Sequence, residues 1–280
     1  MDLREEEIIK FRTELLEFSD YDFRGYSIKS FTRRLKKILE DNKMTIDGLL
    51  KKMRKNKTFL EYVIKEITVN TTEPFRTPNI WKQLIPIIEN NFQNKKELNF
   101  WHAGCSNGLE VYSMLIILYE MHLFDKVNIY GTDLNQDMLD IAISGKYRYH
   151  DFEEYWENIS EVMKFFPNFK LSDYLTVNER RKYVKINDFI LKKPKFVRHN
   201  LVKDDNIFEK KLDLIMCRNV LIYFEHELQN KLFEFFYENL TESGILVIGK
   251  HESILSPIQR KFERIDSIYI KKKMYNIKNF

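Results

Sequence analysis

Between residues 5 and 67 the apolar positions recur at helical spacing. Ile8, Phe11, Leu15 and Leu16 form one set, Phe31, Leu35, Ile38 and Leu39 a second, Leu49, Leu50 and Met53 a third, and Phe59, Val63, Ile64 and Ile67 a fourth. Residues three or four apart share one face of a helix, so four short helices fit this stretch. Ser30 and Thr45 are candidate caps for two of them. The next segment, VNTTEPFRTPNIW at 69–81, carries Pro74 and Pro78, which break regularity. It reads either as a plain connector or as a binding loop.

From residue 80 the pattern alternates between helix and strand. A helix at about 80–92 precedes the strand LNFWHA, and a helix over 108–122, the strand VNIYGTD at 127–133 and a helix over 135–144 follow. The charged and aromatic stretch 145–185 has no clear period and has room for a small β insertion. FVRHNL, LDLIMCRNVLIYF and GILVIG then supply three more strands, and the tail FERIDSIYIKKKMYNIK reads as a hairpin with one strand antiparallel at or beside the sheet edge. Buried strands alternating with helices predict an α/β fold, a mostly parallel sheet covered on both faces.

Composition narrows the class. With 280 residues the chain can bury one large domain or one domain with an appendage. No apolar run is long enough to span a bilayer, and the start, MDLREEEIIKFR, is too charged for a signal peptide. A cytoplasmic protein without membrane insertion is expected, a monomer by default. Cys105 and Cys217 are the two cysteines and the six histidines are scattered, so neither a disulfide framework nor a metal site is expected. Charge is unevenly spread. From Arg24 to Lys57 twelve Lys or Arg stand against three acidic residues. Such a local excess is either a solvated face or a surface for an acidic partner.

The chemistry concentrates at the strand ends, where open α/β sheets bind ligands. In LNFWHAGCSNGLEVYS, Gly104 and Gly108 allow a ligand to approach the backbone closely, and the helix that follows carries Glu110. The loop has neither the lysine of a P-loop nor the spacing of a dinucleotide fingerprint. Asp133 ends its strand as an acid for ribose hydroxyls or, alternatively, as a helix cap. Asn200 and Leu201 end the next strand, and Arg218 and Asn219 follow LDLIMC. A cofactor without phosphates suits this set, and S-adenosylmethionine is one. In that arrangement Arg76 faces its carboxylate, Asp133 its ribose and Glu110 a polar edge.

Taken in order, VNTTEPFRTPNIW, FWHAGCSNGLEVYS, IYGTD, HNLV, CRNVLIYF and GILVIGKHES resemble the CheR family, S-adenosylmethionine-dependent methyltransferases that esterify glutamate side chains of chemotaxis receptors. YDFRGYSIKSFTRRLKKIL is similar to that family's small helical domain. The resemblance implies a class I methyltransferase with a Rossmann-like sheet at 71–280, preceded by an all-α, receptor-contacting domain at 1–70, with a β subdomain within 145–190. It implies cofactor contacts from Asn70, Thr72, Arg76, Glu110, Asp133, Asn200, Leu201, Arg218 and Asn219, and places Arg76 and Tyr223 beside the transferred methyl, with S-adenosylhomocysteine as product. Tyr223 can aim the substrate carboxylate or simply pack as an aromatic at the strand end. The implied partner is the cytoplasmic domain of chemotaxis receptors, whose glutamate-rich helices Arg33, Arg34, Lys36 and Lys37 would steer; no nucleic acid is expected.

Three positions depart from the family pattern. Pro74 stands where an apolar residue is usual, Leu109 where Glu or Gln is usual, and Lys250 where a small residue or His is usual. Two other classes of function fit the residues: a catalytically weak cofactor-binding module that regulates a partner, and a methyltransferase acting on another carboxylate or on nucleic acid.

Overall fold

A computed structural model describes residues 3–68, 70–204 and 207–273, with the side chain of Asp151 set aside. Val69 of the connector and residues 274–278 of the tail motif lie outside these.

The helical stretch forms α1 (Glu5–Phe18), α2 (Ile28–Asn42), α3 (Ile46–Lys55) and α4 (Lys57–Ile67). Acidic Glu5, Glu6 and Glu7 fill the first turn of α1, where the helix dipole favours negative charge. Thr45 caps α3 by accepting from Gly48 N, and Asn56 caps α4 by accepting from Phe59 N. Ser30 is not a cap. It lies inside the first turn of α2, whose N-cap residue is Ser27 and whose first amides are satisfied from far away. Ser27 N donates to the Tyr223 carbonyl at 2.8 Å, and Ile28 N to Glu225 Oε1 at 2.9 Å. The apolar faces close over a core of their own, including Phe11, Leu15, Phe31, Leu35, Leu49 and Val63, against which Leu134 of the sheet region also packs.

Pro78 starts a helix rather than breaking one. It occupies the first turn of α5 (Pro78–Phe92), where its missing N–H costs nothing. The sheet region continues with β1 (Leu98–Ala103), α6 (Leu109–Glu120), β2 (Val127–Asp133) and α7 (Gln136–Ser144). Within 145–190 come β3 (Lys146–Arg148), α8 (His150–Glu153), α9 (Trp156–Met163), β4 (Leu175–Asn178), β5 (Tyr183–Ile186) and the start of α10 (Asp188–Leu191). The three strands pair as a separate antiparallel sheet in the order β3-β5-β4. The main chain then adds β6 (Lys195–Arg198), β7 (Leu212–Cys217), α11 (His226–Asn239), β8 (Leu240–Ile248), β9 (Phe262–Ile265) and β10 (Ile268–Lys271).

The main sheet runs β6-β2-β1-β7-β8-β10-β9. Its first five strands are parallel, and β10 pairs antiparallel with β8 and β9. Alternate residues of the central strands enter different cores. Phe100, Leu214 and Met216 face one layer, and Trp101, Ile215 and Cys217 the other. The chain moves outward from β1 through β2 to β6, then returns to lay β7 on the other side of β1. That reversal opens a crevice between the loops after β1 and β7. Among the described residues, no helix is long and apolar enough to cross a membrane.

Candidate functional site

The crevice is a cleft at the carboxyl ends of the parallel strands, where open α/β sheets bind ligands. The loops after β1, β2, β6 and β7, connector residues Asn70, Thr71, Thr72 and Arg76, and Tyr26, Ile67 and Thr68 of the helical region form its wall. Gly104 is required at its floor. The residue has φ of +73°, and a Cβ there would stand 2.4 Å from Val220 Cγ2.

One ion pair ties the walls together. Arg218 Nη1 lies 2.9 Å from Glu110 Oε2, and Nη2 donates to the Arg76 carbonyl at 2.7 Å. Trp81 Nε1 donates to the same carbonyl. Glu110 Oε1 is 3.1 Å from His102 Nδ1. Burial alone pushes the Glu110 carboxyl up, but the Arg218 guanidinium and the His102 ring more than offset it and leave its pKa below the ordinary value. The connector is thus anchored from inside. Arg76 itself is partly exposed, its Nη1 donating to the Thr71 carbonyl.

Asp133 organises the opposite wall. Its carboxylate accepts from Ser106 N at 2.8 Å and from Asn135 N at 2.9 Å, joining the β1 loop to the β2 loop. It does not cap α7, because Asn135 does so by accepting from Met138 N. Burial raises the Asp133 pKa, and the backbone donors oppose that only in part. Ser106 Oγ donates to the Asn70 carbonyl, which holds the connector over this wall. Asn200 is buried, with its carbonyl oxygen bonded to Val202 N and its amide Nδ2 without a partner among the described residues.

The loop after β7 depends on a carboxylate that sequence reasoning passed over. Glu252 Oε2 accepts from Asn219 N and Gly249 N, and Oε1 from Ile222 N. These bonds fix Asn219 in the left-handed region at φ +60° and carry the chain to Tyr223. Burial raises the Glu252 pKa against the pull of those amides. Tyr223 is half-buried at the mouth, and no side-chain hydrogen bond engages its hydroxyl among the described residues. Burial lifts the Tyr223 pKa, with Arg34, Arg76 and Arg33 opposing the rise and Glu252 adding to it.

Asn70, Thr72, Arg76, Gly104, Glu110, Asp133, Asn200, Leu201, Arg218, Asn219 and Tyr223 all line this one cleft. Gly108 does not. It starts α6 at φ +83°, and a Cβ there would meet Ala142 Cβ at 2.7 Å, so it serves close helix packing behind the wall. On α2, Arg33 and Lys37 are exposed while Arg34 and Lys36 are partly covered, and Arg34 Nη1 donates to the Glu66 carbonyl. Pro74 and Leu109, distant in sequence, line one small apolar cavity with Phe75 and Tyr112, and neither lines the cleft. Tyr26, Ser106, His199 and Glu252 join or support the site without having been singled out. For Glu252 the available signal was an acid four residues after a buried strand; Tyr26 gave none, since its place depends on how the helical region docks.

Comparison with known proteins identifies relatives of the chain. The family model described as "CheR methyltransferase, SAM binding domain" matches residues 70–270. A Pseudomonas putida protein named Cher3 is 32% identical over 252 residues, 87% of each chain. A chemotaxis protein methyltransferase of Listeria innocua is 34% identical over 229 residues, 80% of this chain and 81% of that one. The corresponding protein of Borreliella burgdorferi is 28% identical over 243 residues, 77% of this chain and 82% of that one.

Proposed function

Because this chain belongs to the CheR family of S-adenosylmethionine-dependent methyltransferases, we propose that it methylates glutamate side-chain carboxylates on the cytoplasmic domains of chemotaxis receptors, giving glutamate methyl ester and S-adenosylhomocysteine. The observation that carries the substrate reading is the electrostatic setting of Tyr223. Tyr223 and Arg76 line one cleft, Arg34 and Arg33 join Arg76 in opposing the rise of the Tyr223 pKa, and Glu252, which adds to it, is occupied by three backbone amides. An anionic acceptor is favoured at such a mouth.

The residues present fit the cofactor. Asp133 keeps lone pairs beyond its two amide donors, which suits ribose hydroxyls, and the unpartnered Asn200 amide offers a donor to a base. The backbone at Gly104 leaves room where a Cβ would collide. Glu110 and Arg218 shape the amino-acid end chiefly by holding each other and the connector, so that Asn70, Thr72 and Arg76 are presented along one wall. When bound, S-adenosylmethionine supplies a methyl group on a positively charged sulfur.

A glutamate side chain has a reference pKa of about 4.3 and already carries its nucleophilic oxygen at neutral pH. No base is needed to activate it. The protein's task is placement, and well-oriented reactants gain roughly 7–11 kcal/mol from it. The Tyr223 hydroxyl stays protonated and donates to the substrate carboxylate, fixing the oxygen that attacks, while Arg76 offsets the charge until the new oxygen–carbon bond replaces the sulfur–carbon bond. The division proposed is a receptor-contacting helical unit at 1–70 and a catalytic unit at 71–280, with Arg33, Arg34, Lys36 and Lys37 steering the receptor.

Incubation with methyl-labelled cofactor and a receptor cytoplasmic fragment, RNA or free carboxylic acids tests this. Base-labile label on receptor glutamate is the expected result. Label on RNA or on free acids alone, or cofactor binding without transfer, would overturn the substrate assignment.

A further inference from the structure

A strap of main chain joins the helical region to the loop after β7. Ser27 N donates to the Tyr223 carbonyl, Glu225 N donates to the Gly25 carbonyl at 2.9 Å, and Tyr26 pairs with Phe224 as an isolated antiparallel bridge. Gly25 permits the approach, since a Cβ there would lie 2.5 Å from Leu228 Cδ2. The strap aims one side chain at the cleft. The Tyr26 ring sits edge-on to Phe224 at 4.8 Å and to Phe23 at 4.7 Å, and the residue forms part of the cleft wall with Asp133 and Leu134.

We propose that the Tyr26 hydroxyl is a direct contact for the nucleoside end of S-adenosylmethionine, so that the bound cofactor joins the helical region to the sheet. This rests on the cofactor reading above and adds to it a residue from outside the family-matched segment, which begins at residue 70. Among the described residues the Tyr26 hydroxyl has no hydrogen-bond partner, while its ring is held in edge contacts with Phe23 and Phe224. Tyr26 is half-buried where it lines the cleft, so its O–H is able to pair with a polar group bound there. Asp133, the ribose-facing acid, acts electrostatically on Tyr26, and together with burial keeps the phenol protonated and able to donate. Leu134, next to Asp133, packs on the helical core, so the nucleoside end of the cleft is where the two regions meet.

The consequence is coupling. A ligand that touches both regions stabilises their docking, and the strap carries that effect to Tyr223, whose carbonyl it holds. The test is calorimetric titration of the full chain and of Tyr26→Phe with S-adenosylhomocysteine and with adenosine, alongside hydrogen exchange at residues 25–28. Loss of one neutral hydrogen bond, about 1 kcal/mol, weakens binding by about fivefold, and the same ratio is expected for both probes. Saturating S-adenosylhomocysteine should slow exchange at residues 25–28 in the unsubstituted chain. Equal affinity of Tyr26→Phe and the unsubstituted chain would overturn the contact, a loss seen with S-adenosylhomocysteine but not adenosine would overturn its location, and unchanged exchange would overturn the coupling. If the unsubstituted chain bound neither probe, the cofactor reading beneath would fall instead.

Discussion

Arg218 and Glu110, 108 positions apart in sequence, meet at 2.9 Å inside the cleft wall. The Arg218 side chain is 1% exposed and its second terminal nitrogen reaches the Arg76 carbonyl, so one guanidinium fixes α6, the β7 loop and the connector at once. A planar fork does this and an ammonium does not. Removing one member of a buried pair typically costs about 3–5 kcal/mol, because the other charge is left without a partner. Arg218→Met should therefore lower the unfolding free energy by about that amount in urea titrations, and Arg218→Lys should recover only part of it. An Arg218→Met chain as stable as the original would show that the pair contributes nothing net.

The same pair sets an acid dependence. The Glu110 pKa in the fold is below its ordinary value of 4.5. A depressed carboxyl contributes stability that is fully present above the unfolded value and is lost as pH falls through the folded one. Asp133 and Glu252 are raised by burial and act with the opposite sign, their contributions being lost as pH rises through their folded values. The informative quantity is thus the difference between the original chain and Glu110→Gln. That difference should be constant near neutral pH and shrink as the solution is taken below pH 4.5. A gap that stays level to pH 3 would assign the loss to packing instead, as read from urea midpoints across an acid series.

Tyr223→Phe separates aiming from binding. The ring survives and the hydroxyl is lost, so the Kd for S-adenosylhomocysteine should hold while kcat with receptor fragment falls by about tenfold or more, the order that a lost orienting contact commonly costs. An unchanged kcat would leave Tyr223 as an aromatic filling the strand end.

Glu252 acts at one remove. Three amides of the β7 and β8 loops converge on its carboxylate, and Glu252→Ala would leave them buried and unpaired at about 1–3 kcal/mol each at most. Loss of kcat should exceed loss of cofactor affinity, because the loop displaced carries Tyr223. Glu252→Gln keeps two acceptor lone pairs and should restore part of the rate, a rescue that general destabilisation would not give.

The proposed steering by the helical region has its own signature. Arg33→Glu with Lys37→Glu should raise the KM for receptor fragment several-fold while sparing kcat, and should flatten the dependence of KM on salt. An unchanged KM would mark both side chains as a merely solvated face.

Local pattern determined a great deal here. The alternation of apolar runs and helical periods located β1, β2 and the tail hairpin, because strand and helix periods are properties of neighbouring residues. The four helices of residues 5–67 followed from the same cause, as did the cap at Thr45, while the cap at Asn56 emerged only in the structure. The strand ends at Gly104, Asp133, Asn200 and Arg218 were legible as a site because an open parallel sheet puts them at one edge whatever the surrounding detail. Relations between distant segments were not. The start of α2 is set by Tyr223 and Glu225 and not by Ser30, Gly108 packs against Ala142 instead of facing the cleft, and Pro74 and Leu109 turn out to share one cavity. Glu252 and Tyr26 reach the site only through folding, one by gathering amides from two loops and the other by the docking of a separate core. Such contacts carry no periodic trace in the chain, since they depend on which surfaces meet in space and on the polar groups that burial then obliges to find partners.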